Sequence, residues 1–131
     1  MIVMIAEDDR IYSHLLMRQL KARGLESTVT YDAMQAFMVA ARLTPAAILL
    51  DINLPGGTGL EVLKQSSKTC MIPVIAISAD SDPNLPFTVK NLGADDFFSK
   101  PIDFENLYSK LCKLMDIEAS AEKSRPTSNT K

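Results

Sequence analysis

Four apolar runs in this chain each end on a group able to do chemistry. Ile2-Val3-Met4-Ile5-Ala6 stops at Glu7-Asp8-Asp9, and Ala46-Ala47-Ile48-Leu49-Leu50 stops at Asp51. Val74-Ile75-Ala76-Ile77 stops at Ser78-Ala79, and the shorter Asp96-Phe97-Phe98-Ser99 reaches Lys100-Pro101. Asp51 is followed by a Gly/Pro-rich turn, residues 51–60, so it stands where open α/β sheets place their ligands. Three carboxylates meeting in one crevice, Glu7, Asp8 and Asp51, repel one another, and one keeps its proton unless a cation intervenes. All-oxygen donors with no histidine nearby favour a hard ion, Mg²⁺ before Ca²⁺, in an open site that also accepts a phosphoryl oxygen. The plainer alternative is that acidic residues ahead of a helix serve its dipole. That accounts for Asp9, but less well for Glu7 and Asp8, which sit where a buried strand is just ending. Lys100 alone reads as surface charge and Ser78 alone as a turn residue. Their common placement at strand ends is what joins them into a site.

Strand-like and helix-like segments must alternate to hold these groups, which predicts a parallel sheet with helices on both faces. The first strand spans residues 2–6 and the first helix residues 10–23, with Asp9 as N-cap and Gly24 as its stop. Residues 25–30 read as a more polar edge strand. A second helix over 33–42 carries Met34, Phe37, Met38 and Ala41 at helical spacing, a stripe expected to pack into the core. The central strand, 46–50, leads to a third helix beginning near Thr58 or Gly59 that turns Leu60 and Leu63 inward. Pro73 opens the fourth strand. Pro83 and Pro86 confine a fourth helix to residues 85–92, ended by Gly93. The fifth helix covers 103–115, with Phe104, Leu107, Leu111 and Leu114 on one stripe. Right-handed crossovers give a doubly wound sheet of five strands in the order 2-1-3-4-5, the flavodoxin-like arrangement with five helices. Residues 1–116 form one domain, and the polar, aperiodic segment 117–131 reads as a mobile tail or linker.

The 131 residues suit a single core, and 47% are hydrophobic, with a mean hydropathy of +0.05. A formal charge of −2 and a pI near 5.3 argue against nucleic-acid binding through bulk positive potential. Cys70 and Cys112 are far apart and read as reduced thiols. No apolar stretch approaches the length of a membrane span and the first strand leaves no room for a signal peptide, so a cytoplasmic protein is expected.

Glu7-Asp8, Asp51 in Asp-x-x-Leu-Pro-Gly-x-x-Gly-Leu, Ser78-Ala79 and Lys100-Pro101 together resemble the receiver domain of bacterial response regulators, over residues 2 to about 115. The resemblance implies that Asp51 takes a phosphoryl group from a phosphohistidine. It gives Asp8 a direct contact to Mg²⁺ (Mn²⁺ as a substitute) and Glu7 a contact through water, with Asp51 and the backbone carbonyl of Asn53 completing the protein ligands. Lys100 and Ser78 would hold phosphoryl oxygens. It also implies a cis Lys100–Pro101 peptide and a switch that couples Ser78 to Phe97, where tyrosine is frequent in the family. Asn53 and Asp80 would position an attacking water and make self-dephosphorylation relatively quick.

The first helix carries two apolar pairs. If Leu16 and Leu20 pack on the sheet, Ile11 and Leu15 are left to solvent and, with Pro101, form a docking surface. The resemblance names the donor as a histidine kinase or histidine phosphotransfer protein. It also allows a dimer through the fourth helix, fifth strand and fifth helix. His14 reads as an exposed helical residue. A metal-dependent phosphatase would need a second acid/base carboxylate near the nucleophile, which Asp51-Ile52-Asn53 lacks. A flavodoxin-like cofactor binder would need a phosphate-cradling loop after the first strand, where Glu7-Asp8-Asp9 stands instead. A pseudo-receiver acting as a scaffold would usually have lost one of the five site positions. All are present.

Overall fold

The computed structural model describes residues 2–54 and 72–123, with residues 116–123 as backbone alone. In chain order the elements are β1 (Ile2–Ala6), α1 (Arg10–Ala22), β2 (Glu26–Thr30), α2 (Ala33–Leu43) and β3 (Ala47–Asp51), then β4 (Val74–Ser78), α3 (Leu85–Asn91), β5 (Asp96–Ser99) and α4 (Phe104–Lys123). The third helix expected from the sequence lies outside the described residues, so α3 and α4 are the fourth and fifth helices of the sequence reading. The strands form one parallel sheet in the order β2-β1-β3-β4-β5. The order reverses between β1 and β3, which opens the crevice at their carboxyl ends.

Continuous apolar runs make strands buried on both faces. All five residues of β3 and of β4 are buried. Alternation then divides the side chains between two cores. Val3, Ile5, Leu49, Ile75 and Ile77 pack with Leu16 and Leu20 of α1 and with Leu107, Leu111 and Met115 of α4. Met4, Ile48, Leu50 and Ala76 pack with Ala33, Ala36 and Ala40 of α2 and Val89 of α3.

The helix ends follow local chemistry. Asp9 caps α1 by accepting from the Ile11 and Tyr12 N–H groups at 3.0 and 3.1 Å. Asp32 caps α2 by accepting from Gln35 N–H at 2.7 Å. Gly24 takes φ +86° just after α1, which costs a glycine little and a Cβ-bearing residue more.

Two expectations need correction. Met34, Phe37 and Met38 do not enter the core: they are 65%, 42% and 55% exposed, and the inward face of α2 is Ala33, Ala36 and Ala40. The segment is helical, as its periodicity predicts, but it turns its alanine face to the sheet, because small side chains let it lie close. The last helix also continues past Met115 to Lys123. Glu118, Ala119, Ala121, Glu122 and Lys123 are good helix formers that sustain a helix without an apolar stripe.

Candidate functional site

The crevice gathers its groups from four strand ends. Glu7 follows β1 and extends its pairing, donating its N–H to Thr30 O at 3.0 Å. Asp51 is the last residue of β3 and Ser78 the last of β4. Lys100 follows β5 and donates its N–H to Ser78 O at 2.8 Å. Glu7 and Ser78 are wholly buried and Asp51 is 5% exposed. Charged groups so placed have to satisfy one another.

They do so in a closed network. The Lys100 ammonium donates to Glu7 Oε1 and, at 3.0 Å, to Asp51 Oδ2. Asp51 Oδ1 accepts from Asn53 N–H at 2.9 Å. Glu7 Oε2 accepts from Asp9 N–H at 3.0 Å, and the Asp9 carboxylate caps α1. Ser78 Oγ accepts from Asp80 N–H at 2.9 Å. Burial pushes the Glu7 carboxyl from 4.5 up to about 7; the hydrogen bond from Lys100 opposes this rise and the nearby Asp51 adds to it. Burial alone would lower Lys100, but its hydrogen bonds to Glu7 and Asp51 outweigh that and raise it.

Glu7, Asp8 and Asp51 each offer a carboxylate oxygen, all within 4.8 Å of one another. Two are buried, while Asp8 is exposed. Lys100 supplies a single positive charge against three carboxylates, and Glu7 is already pushed toward its neutral form. The cluster is therefore short of cationic charge, and its all-oxygen donor set fits a hard divalent cation.

The other residues singled out from sequence lie around this pocket. Asn53 and Asp80 are exposed beside it. Phe97 pairs in register with Ala76, two residues before Ser78, and packs half-buried against the core under α2 and α3. Ile11 and Leu15 are 84% and 38% exposed on α1, Pro101 is exposed, and the Lys100–Pro101 peptide is cis. His14 is exposed on α1. Residues 55–71 lie outside the described residues.

Tyr12 was not anticipated. The Lys100 ammonium lies 4.7 Å from the centre of the Tyr12 ring, and the Tyr12 hydroxyl accepts from Ile102 N–H at 3.0 Å. No local pattern in the sequence points to it, since its partners lie about ninety residues away.

A doubly wound parallel sheet with an acidic crevice at its switch point and a lysine from the last strand defines a class of signalling domain. Residues 3–112 match the response regulator receiver domain family, and the chain belongs to it. Over 109 residues it is 30% identical to the KDP operon transcriptional regulatory protein KdpE of Escherichia coli, a match covering 83% of this chain and 48% of KdpE. Over 105 residues it is 34% identical to the DNA-binding transcriptional regulator NtrC of E. coli, covering 79% of this chain and 22% of NtrC. The chain thus spans about half the length of KdpE and less of NtrC. Among solved structures, the Francisella response regulator 1452 receiver domain superposes with a TM-score of 0.85 at 24% identity, covering 89% of this chain and 98% of that one. The BeF3-activated receiver domain of Klebsiella pneumoniae RstA gives 0.84 at 23% identity, covering 88% and 98%. At such identity these two likenesses speak for the fold. Among the described residues no helix is long and apolar enough to cross a membrane.

Proposed function

We propose that this domain accepts a phosphoryl group on Asp51 from the phosphohistidine of a histidine kinase or histidine phosphotransfer protein, in a Mg²⁺-dependent reaction. The observation that carries the reading is the convergence of three carboxylate oxygens within 4.8 Å with the Lys100 ammonium 3.0 Å from Asp51 Oδ2. An Asp51 oxygen forms the new bond to phosphorus as the phosphorus–nitrogen bond breaks, and the imidazole leaves with that electron pair. The product is an acyl phosphate.

Phosphoryl transfer runs through a loose transition state, so positioning and charge compensation supply most of the rate. Asp8, Asp51 and the Asn53 carbonyl would hold Mg²⁺ directly and Glu7 through water. When bound, the ion supplies charge compensation at the phosphoryl oxygens. Lys100 exchanges its bond to Asp51 for one to a phosphoryl oxygen. The Ser78 hydroxyl, now accepting from Asp80 N–H, has its own proton to donate to another. Ile11 and Leu15, with Pro101, offer the phosphodonor an apolar surface beside the pocket.

Adding about −1.5 to −2 charge at Asp51 has to bias a two-state element for a signal to leave the site. Movement of Ser78 toward the phosphoryl group, followed by Phe97, is the element proposed here. Its reporting face is α3–β5–α4, through which dimerisation would also occur. Asn53 and Asp80 stand where they can align a water for self-dephosphorylation, and the domain works in the cytoplasm as a regulator without a separate substrate.

The test is the intact mass after incubation with acetyl phosphate and Mg²⁺. Wild type is expected to gain one phosphoryl group, while Asp51→Asn and chelator-treated wild type gain none. An unmodified wild type that also fails to bind beryllium fluoride would overturn the reading in favour of a protein-interaction scaffold.

A further inference from the structure

The ammonium of Lys100 has three N–H donors, of which the carboxylates of Glu7 and Asp51 take two. The Tyr12 ring, 4.7 Å away, presents its electron-rich face to the same ammonium. The same residue grips the backbone on the far side of Pro101, because its hydroxyl accepts from Ile102 N–H at 3.0 Å. Ile102 is buried in the core beneath α1 and α4, and Lys100 N–H is bound to Ser78 O. Tyr12 therefore touches both the Lys100 ammonium and the backbone just beyond the turn that delivers it.

Its own position is equally fixed. The Tyr12 N–H is held by the Asp9 carboxylate, whose backbone N–H in turn binds Glu7 Oε2. One chain of contacts thus runs from Glu7 through Asp9 and Tyr12 to Lys100 and back to Glu7.

We propose that Tyr12 is a positioning residue for Lys100. The ring holds the ammonium in the sector between Glu7 and Asp51, and the hydroxyl fixes the turn that carries it. The proposal rests on Lys100 serving Asp51 as described above. When the bond to Asp51 Oδ2 has to be given up for a phosphoryl oxygen, a bare lysine chain could swing to water. The ring keeps it in place without competing as a hydrogen-bond acceptor.

Two substitutions separate the ring from the hydroxyl. Tyr12→Leu removes both, whereas Tyr12→Phe keeps the ring. The saturating rate of phosphorylation by acetyl phosphate is expected to fall about three- to tenfold in Tyr12→Leu, in the range of a half-buried cation–π contact. The concentration of acetyl phosphate giving half that rate should move by less than about twofold, since the phosphodonor is not touched by the ring. Tyr12→Phe should restore most of the rate while unfolding at a lower temperature, because Ile102 N–H loses its acceptor. The second readout needs no phosphoryl transfer. In proton NMR the Lys100 ε-methylene protons should be shifted upfield by the ring in wild type and in Tyr12→Phe, and return toward free-lysine positions in Tyr12→Leu. An unchanged rate together with unchanged Lys100 shifts in Tyr12→Leu would overturn the proposal. If wild type takes no phosphoryl group, the function proposed for Asp51 fails, whereas the NMR comparison still decides whether Tyr12 holds Lys100.

Discussion

Strand β5 carries a three-charge cluster at each end, and the two are built to opposite rules. At the amino end Asp96 lies between Lys90, at 3.9 Å, and Lys110, at 3.5 Å. At the carboxyl end Lys100 lies between Glu7 and Asp51. The first has one carboxylate and two ammonium groups, with the Lys90 side chain 54% exposed and Asp96 25% exposed. The second has one ammonium and two carboxylates whose side chains are 1% and 7% exposed. Water and salt can screen the first, so its geometry is loose and its worth small. The second is largely shielded from water and left one positive charge short; burial moves Glu7 upward, and the missing charge suits a cation. The contrast shows that burial, more than the number of charges, turns an ion-pair cluster into a site.

Removing Lys100 should break this contrast most severely. Lys100→Met leaves two buried carboxylates with their backbone N–H donors but without a balancing cation, and is expected to cost about 3–5 kcal/mol in urea unfolding at pH 8. The cost should shrink at pH 5.5, where Glu7 holds its proton. Equal losses at the two pH values would show that Glu7 and Lys100 are not coupled.

Glu7→Gln sharpens the comparison. In wild type the folded-state value of about 7 lies above the ordinary 4.5. Between those values the folded chain binds more protons than the unfolded one, so this residue's contribution to stability falls as pH rises from 4.5 to 7 and is flat above. The slope is at most about 1.4 kcal/mol per pH unit. The glutamine variant should lack that slope, as read by unfolding midpoints across the window. The smallest effect belongs to the other end of β5. Asp96→Asn should change stability by less than about 1 kcal/mol, and by less still in concentrated NaCl.

Much of this was legible in the sequence, for identifiable reasons. Apolar runs ending on acids marked the strand ends because a parallel strand buried on both faces has to be continuous and its ligand edge has to be polar. Two apolar pairs on one helix cannot both face the sheet, so the sequence leaves one of them to solvent, and the structure buries Leu16 and Leu20 and exposes Ile11 and Leu15. The same periodicity misled at α2. An apolar stripe of Met34, Phe37 and Met38 and a small-residue stripe of Ala33, Ala36 and Ala40 are both helical, and hydrophobicity favours the larger side chains. The sheet accepted the smaller ones because they allow closer approach. Tyr12 escaped notice because its role depends on partners at the far end of the chain.

The strand order also sets a sequence of events during synthesis. Strand β1 lies between β2 and β3 in the sheet, and all three lie within the first 51 residues. Glu7 and Asp8 therefore leave the ribosome first and Asp51 after them, while Lys100 follows Asp51 by a further 49 residues. In a nascent chain the three carboxylates exist before the lysine that balances them, and until β4 and β5 join the sheet, water and mobile counterions screen their charges.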